Sequence, residues 1–261
     1  MQWSLSGKNA LVGGSSKGIG KATAIALAEM GANVTLVSRS ADIMADVIKQ
    51  LHKGPGQDHD FLVADFTDTT DLHIKVSALV TEKPIHILVN NTAGPPAGAI
   101  TEAKGEHFLQ AFNNHLICNH LLTQAVVPGM IRENYGRIIN IISTSVKVPL
   151  DGLGVSNTVR GAVASWAKTM ANELGRHQIT VNNVLPGLTL TDRLHDIIER
   201  QAAESGKSVE EVGRTMQNSV PMGRFAQPAE IAAAVAFLAS PAAAYINGVS
   251  LPVDGGRTRS L

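Results

Sequence analysis

Short apolar runs alternate with longer amphipathic stretches from one end of the chain to the other. The runs at 9–13, 33–38, 60–65, 85–90, 137–142, 180–185 and 249–253 are rich in Val, Ile and Leu and predict seven strands. Their near-continuous apolar character is that of strands covered on both faces. Between them, 20–30, 44–52, 71–81, 108–131, 156–175 and 228–239 carry helical spacing and are long enough to cross over a sheet. Gly31 and Gly175 stand just past predicted helix ends, and Pro228 stands where a helix begins. This order predicts one α/β doubly wound domain over 1–261, with a seven-stranded parallel sheet and helices on both faces. Residues 188–224 break the rhythm. They are charge-rich and weakly periodic, and they follow the sixth strand at the edge where ligands of open α/β sheets collect, so a substrate lid is expected there; an ordinary surface helix pair is the competing reading.

Composition narrows the function. Lys plus Arg and Asp plus Glu both number 22, so the formal charge is zero and no general attraction to nucleic acid or an anionic membrane is expected. The single cysteine, Cys118, excludes an intramolecular disulfide and favours a reducing, cytoplasmic setting. The N-terminal residues lack a basic segment followed by an apolar run, and the apolar stretch 231–239 is too short to span a bilayer, so neither export nor membrane insertion is expected. The histidines show no paired metal-ligand spacing, and Ser143 is not in a nucleophile-elbow sequence, so no metal site and no serine-triad chemistry are expected.

The first strand runs into Gly13-Gly14-Ser15-Ser16-Lys17-Gly18-Ile19-Gly20 and then a helix. Glycines there allow a tight turn and a close backbone approach to a pyrophosphate at the helix N-terminus. Gly14, Gly18 and Gly20 form the G-x-x-x-G-x-G spacing, which resembles the short-chain dehydrogenase/reductase family. Further landmarks follow in that family's order across nearly the whole chain: Asp65, Asn90-Asn91-Thr92-Ala93-Gly94, Ser143, Pro186-Gly187 with Thr191, and Asp254-Gly255-Gly256. The resemblance implies a Rossmann-type domain holding a nicotinamide dinucleotide. It implies that Ser15, Ser16, Lys17 and Ile19 line the pyrophosphate and adenosine ribose, that Asp65 meets the adenine, and that Asn91 sits beside the ribose nearer the nicotinamide. Pro186, Gly187 and Thr191 complete the cofactor site. The second strand ends in Ser38-Arg39 rather than an acid; Arg39 with Lys17 offers positive charge to a 2′-phosphate, which favours NADP(H) over NAD(H). Gly13 replaces the family's usual threonine, and Ala93 replaces a glycine.

At the reacting end the family uses a serine, a Tyr-x-x-x-Lys helix turn and an asparagine relay. Ser143 occupies the serine position. The tyrosine and lysine positions fall on Ser156 and Arg160, an alignment pinned downstream by Lys168-Thr169-Met170-Ala171-Asn172-Glu173-Leu174, and His115 stands at the asparagine position with Asn114 before it. The only tyrosines, Tyr135 and Tyr245, lie just before the fifth and seventh strands. A serine hydroxyl titrates far above a phenol and an arginine stays protonated, so tyrosine-based proton transfer is not expected. Arg160 could bond the nicotinamide ribose and stabilise a developing alkoxide, with Ser143 and Ser156 orienting a carbonyl. The proton could come from water, from His115 through water, or from Lys147. The implied activity is NADP(H)-dependent hydride transfer to a carbonyl or from an alcohol, 3-oxoacyl thioesters included, through a non-standard site. Dinucleotide binding without turnover, as a regulator or assembly partner, and lyase or isomerase chemistry are the alternatives. In 188–224, Arg193, Arg200, Lys207 and Arg214 either receive an acidic substrate or form a solvated face. The resemblance also implies a homodimer or homotetramer packed through the long helices, with Val163, Trp166 and Met170 serving an interface or the core.

Overall fold

A computed structural model describes residues 3–260. Strands β1 (Asn9–Gly13), β2 (Asn33–Ser38), β3 (Asp60–Val63), β4 (Ile87–Asn90), β5 (Gly136–Ile141), β6 (Ile179–Pro186) and β7 (Ser250–Val253) form one sheet in the order β3-β2-β1-β4-β5-β6-β7, and every pairing is parallel. The pleat sends alternate residues to opposite faces. Val12, Val89 and Ile139 pack with Leu27 of α1 (Gly18–Glu29), Val47 of α2 (Ala41–Ile48) and Val235 of a later helix, Pro228–Ala239. Leu11, Leu88 and Ile138 face the other way, onto Val76 of α3 (Thr69–Glu82), Leu122 of a helix at Cys118–Arg132 and Ala171 of one at Gly154–Leu174. Two apolar layers thus clamp one sheet, and this is why its strands read as unbroken hydrophobic runs.

Most element positions agree with the periodicity, and the differences have local causes. The third strand stops at Val63 because Asp65 turns the chain, its Oδ1 accepting from Thr67 N at 2.9 Å. The long helix expected at 108–131 is three pieces: α4 (Gly105–Phe112), a π turn at Asn113–Ile117 and α5 (Cys118–Arg132). The helix after β5 is α6 (Gly154–Leu174), and Gly175 has φ −54°, so it is not a left-handed cap; Gln178, at φ +61°, takes that role. Gly31, at φ +97°, does end its helix as expected. The segment 188–224 holds α7 (Asp192–Ser205) and α8 (Val209–Asn218), and α9 (Pro228–Ala239) follows it. Leu194, Ile198, Ala202, Val212 and Phe225 give α7 and α8 a small apolar seam of their own. Val163 is buried against Ile142 and Leu185 within the chain, so it is core and not an interface residue. Trp166 is partly buried and its Nε1 donates to His120 Nδ1 at 3.4 Å.

Candidate active site

β1 lies between β2 and β4, so the direction of winding reverses there and a crevice opens beyond the strand carboxyl ends. The glycine turn fills one wall of it. Gly14 (φ +56°) and Gly18 (φ +57°) adopt left-handed conformations that only glycine takes without strain. A Cβ at Gly20 would lie 2.2 Å from Gly14 O, so α1 can start this close to the turn only with glycine there. Lys17, the N-cap residue, makes no side-chain cap and the first turn holds no acid. The leading N–H groups of α1 are therefore left for a ligand, a ready anion site. Asn91 closes the turn from β4, its Nδ2 donating to Gly13 O at 3.1 Å and Gly14 O at 3.4 Å.

The residues expected to line the cofactor divide into those that face the crevice and those that build it. Ser15 is fully buried, its Oγ accepting from Val37 N at 3.0 Å and its N–H donating to Val37 O at 3.4 Å, so it ties the turn to β2 rather than facing the crevice. Asn91, expected beside a ribose, holds the turn through its Nδ2. Ser16 and Ile19 are half-buried beside the glycines. Lys17 is not beside Arg39; its Nζ meets Asp192 Oδ2 at 2.5 Å, and Thr191 at the start of α7 stands 3.4 Å from where a Cβ on Gly18 would be. Arg39 is exposed past β2, with Nη1 3.9 Å from Asp65 Oδ2. Asp65 is held below the usual carboxylate range, chiefly by the Thr67 N–H and least by Arg39. Pro186 ends β6, and Gly187 donates to Val253 O at 3.0 Å so closely that its Cβ would fall 2.7 Å from Asp254 Cα. The Asp254-Gly255-Gly256 turn therefore braces this side of the crevice.

Deeper in, β5 ends and Ser143 follows in extended conformation, its Oγ accepting from Ser145 N at 3.1 Å and its hydroxyl hydrogen left to donate elsewhere. Ser156 and Arg160 lie one helical turn apart on α6 and both are buried. Arg160 Nη1 donates to Ile141 O at 2.8 Å, which carries the guanidinium to the end of β5, two residues before Ser143. Burial and then Arg193 depress its pKa to about 10, so it stays charged near neutrality. His115 sits in the π turn, a distortion common at functional sites, with Nδ1 2.7 Å from Thr92 Oγ1. Burial, then Arg160, then Arg193 push His115 down to about 2, so the imidazole is neutral. Lys147 is exposed beyond the short turn that Ser143 starts.

Neither tyrosine stands at this edge. Tyr135 precedes β5 at the opposite end of the sheet, its Oη donating to Ala239 O at 2.7 Å and its ring carrying Lys8 and Arg137 at 4.4 and 4.3 Å, while Tyr245 is fully exposed before β7. Two features escaped the sequence reading. Arg193 folds over Gly94, its Nη2 donating to Pro95 O at 3.1 Å. Asn90, Asn140, Asn183 and Ser250, register partners across β4 to β7, form a lateral side-chain ladder: Asn90 Nδ2 to Asn140 Oδ1 at 2.8 Å, Asn140 Nδ2 to Asn183 Oδ1 at 2.9 Å, and Asn183 Nδ2 to Ser250 Oγ at 3.1 Å. Asparagines inside apolar strands were the available signal. Among the described residues no group of three or more His, Cys, Asp or Glu side chains could hold a metal ion, and no helix is long and apolar enough to cross a membrane.

Comparison with known proteins agrees with this geometry. A family model described as enoyl-(acyl carrier protein) reductase matches residues 14–258. The chain belongs to the short-chain dehydrogenase/reductase family. It is 35% identical to the 3-oxoacyl-(acyl-carrier-protein) reductase FabG of Vibrio harveyi over 97% of this chain and 98% of that one. It is 33% identical to gluconate 5-dehydrogenase of Gluconobacter oxydans over 99% and 98% of the two chains. Among solved structures, L-sorbose reductase from Gluconobacter frateurii, complexed with NADPH and L-sorbose, superposes with a TM-score of 0.93 at 30% identity, with all of both chains covered.

Proposed function

We propose that this chain is an NADP(H)-dependent oxidoreductase that interconverts a carbonyl compound and its alcohol. The glycine turn carries this reading: it leaves a backbone cradle at the N-terminus of α1 that side chains at positions 14, 18 and 20 would strain or block. The residues present fit a dinucleotide. The N–H groups of the first turn of α1 would hold its pyrophosphate, Asp65 its adenine, and Arg39 a 2′-phosphate, for which a guanidinium is the matching donor. Pro186, Gly187 and Thr191 would close the nicotinamide side. When bound in reduced form, the cofactor supplies a hydride to the carbonyl carbon. The names of relatives such as FabG and L-sorbose reductase point to the same reaction type.

The chain's own groups supply orientation and charge. Ser143 and Ser156 donate hydrogen bonds to the carbonyl oxygen. Arg160, charged and desolvated, stabilises the negative charge that oxygen acquires, where a low dielectric strengthens the interaction. Neutral His115 cannot act as an imidazolium acid, so the proton that completes the alcohol comes from water held at the serine hydroxyls. This is a Ser-x-x-x-Arg site in place of Tyr-x-x-x-Lys. Residues 188–224 act as the lid over it, its first turn tethered to the glycine turn by Asp192 and Lys17. The expected assembly is a homodimer or homotetramer.

The test is NADPH oxidation against a panel of ketones, aldehydes, oxo acids and 3-oxoacyl thioesters. Turnover with at least one carbonyl class, lowered by Arg160→Met, is expected. NADPH that binds and stays unoxidised across the panel would instead favour a dinucleotide-binding protein without turnover.

A further inference from the structure

Arg193 is one of five Lys and Arg residues in 188–224, and the structure separates it from the others. Arg193 is exposed and so open to a ligand, yet its guanidinium is not free-standing. It folds back across Gly94, where an added Cβ would fall 2.5 Å from Nη1, and Nη2 donates to Pro95 O at 3.1 Å. Arg160, on α6, is held at the end of β5 by its bond to Ile141 O. The two guanidinium groups are close enough for Arg193 to depress Arg160, and both bear on His115.

The pair lacks acids. Arg39, Arg200 and Arg224 each have a carboxylate partner, at 3.9, 3.5 and 2.7 Å. Among the described residues no carboxylate lies within 4.0 Å of Arg160 or Arg193. Asp196, one turn along α7, partly offsets Arg193's charge, less than burial and Arg200 work against it. Arg160 is buried and Arg193 is exposed, and two like charges that bear on one another are unfavourable until an anion joins them. Guanidinium geometry matches a carboxylate with two parallel bonds. Beside Pro95 an open hollow of about 160 Å³ is lined by Pro95, Pro96, Ala103 and Val155, with Glu102 and His107 completing it, which is room for a short aliphatic segment.

We infer that the substrate carries a carboxylate and that Arg193 is the residue that selects it, gripping the carboxylate over Gly94 while the carbonyl or alcohol carbon faces Ser143 and Ser156. The inference rests on the oxidoreductase reading and specifies its substrate class: short hydroxy acids and oxo acids rather than neutral ketones. Glu102 is in the hollow's lining and disfavours a second carboxylate there, so a monoacid is preferred.

The probes are 2- and 3-hydroxybutyrate and their methyl esters, assayed with NADP⁺ and titrated calorimetrically into NADP⁺-saturated protein, with Arg193→Met and Arg193→Lys alongside wild type. The wild type is expected to prefer acid over ester in kcat/KM. Arg193→Met should erase that preference by about 10- to 100-fold, the range of one charge-assisted pair, while leaving the Kd for NADPH within twofold; Arg193→Lys should retain part of it. Calorimetric affinity for the acid should fall in parallel. Equal handling of acid and ester by wild type, or no binding of either while NADPH binds, overturns the inference. A Kd for NADPH that weakens in step with Arg193→Met also overturns it, because the anion is then the cofactor's own pyrophosphate. Failure of wild type to bind NADPH would instead sink the oxidoreductase reading itself.

Discussion

Replacing Gly20 with alanine is the sharpest probe of the cradle. The new Cβ would stand 2.2 Å from Gly14 O, 2.8 Å from Gly14 C and 2.7 Å from Asn91 Nδ2, whereas ordinary contact begins at 3.4 Å. The Gly14 peptide must therefore retreat by about 1.2 Å, and Asn91 loses its two bonds to the turn. Overpacking of this kind costs roughly 1–3 kcal/mol, and the lost side-chain bonds about 1 kcal/mol more. For a chain of this size each kcal/mol moves Tm by about 2–4 °C, so a fall of about 4–16 °C is expected by calorimetry. The strain falls on the backbone that would face the pyrophosphate, so the Kd for NADPH should rise on the order of 30-fold or more, equivalent to about 2 kcal/mol. Gly161→Ala is the control: it lies within α6 with nothing within 4 Å of the added Cβ, and should raise Tm slightly because alanine favours helix. If Gly20→Ala bound NADPH as wild type does, with an unchanged Tm, the close approach of α1 to the turn would not be what shapes the site.

Three further outcomes follow from buried groups. Cys118 donates from Sγ to Phe66 O at 3.0 Å, and burial followed by Asp65 pushes its thiol up to about 12, so the native protein should resist iodoacetamide and react only on unfolding; rapid native labelling would contradict the packing around α5. His115 titrates in the unfolded chain near 6.5 but in the fold only at about 2, so the unfolded state gains a proton first as the pH drops. Stability linked to this residue is full above pH 6.5 and is lost as the pH falls toward 2, by about 2–3 kcal/mol between pH 6.5 and 4.5. Urea midpoints should fall less steeply with acidification in His115→Asn, and identical slopes would place His115 in water. Asn140→Ala leaves Asn90 Nδ2 and Asn183 Oδ1 without their partners in a buried row, and should cost about 2–6 kcal/mol in urea unfolding; a cost under 1 kcal/mol would mean the ladder is solvated.

The sheet was legible because its central strands are mostly apolar on both faces and its crossovers are amphipathic, and the glycine turn because only glycine meets its φ angles and close contacts. Local polar substitutions decided what the pattern missed. The break at Asn113–Ile117 carries no proline or glycine to mark it, so 108–131 reads as one helix. The seam of α7 and α8 was masked by the charges around it, although Leu194, Ile198 and Ala202 recur every four residues. Ser143, Ser156, Arg160 and His115 could be placed by position along the chain. Where side chains turn was another matter: Ser15 faces β2, Lys17 crosses to Asp192, and Arg193 folds over Gly94 while Arg200 pairs with Glu204. Such orientations depend on neighbours far apart in sequence, and no periodicity records them.

Isothermal titration with NADPH and NADH under identical salt tests most directly whether this crevice receives a 2′-phosphorylated dinucleotide. Binding of NADPH at least tenfold tighter than NADH, with the difference largely removed in Arg39→Ala, is the predicted result. Uptake of neither nucleotide by folded protein, or affinity for NADH equal to or above that for NADPH, would contradict it.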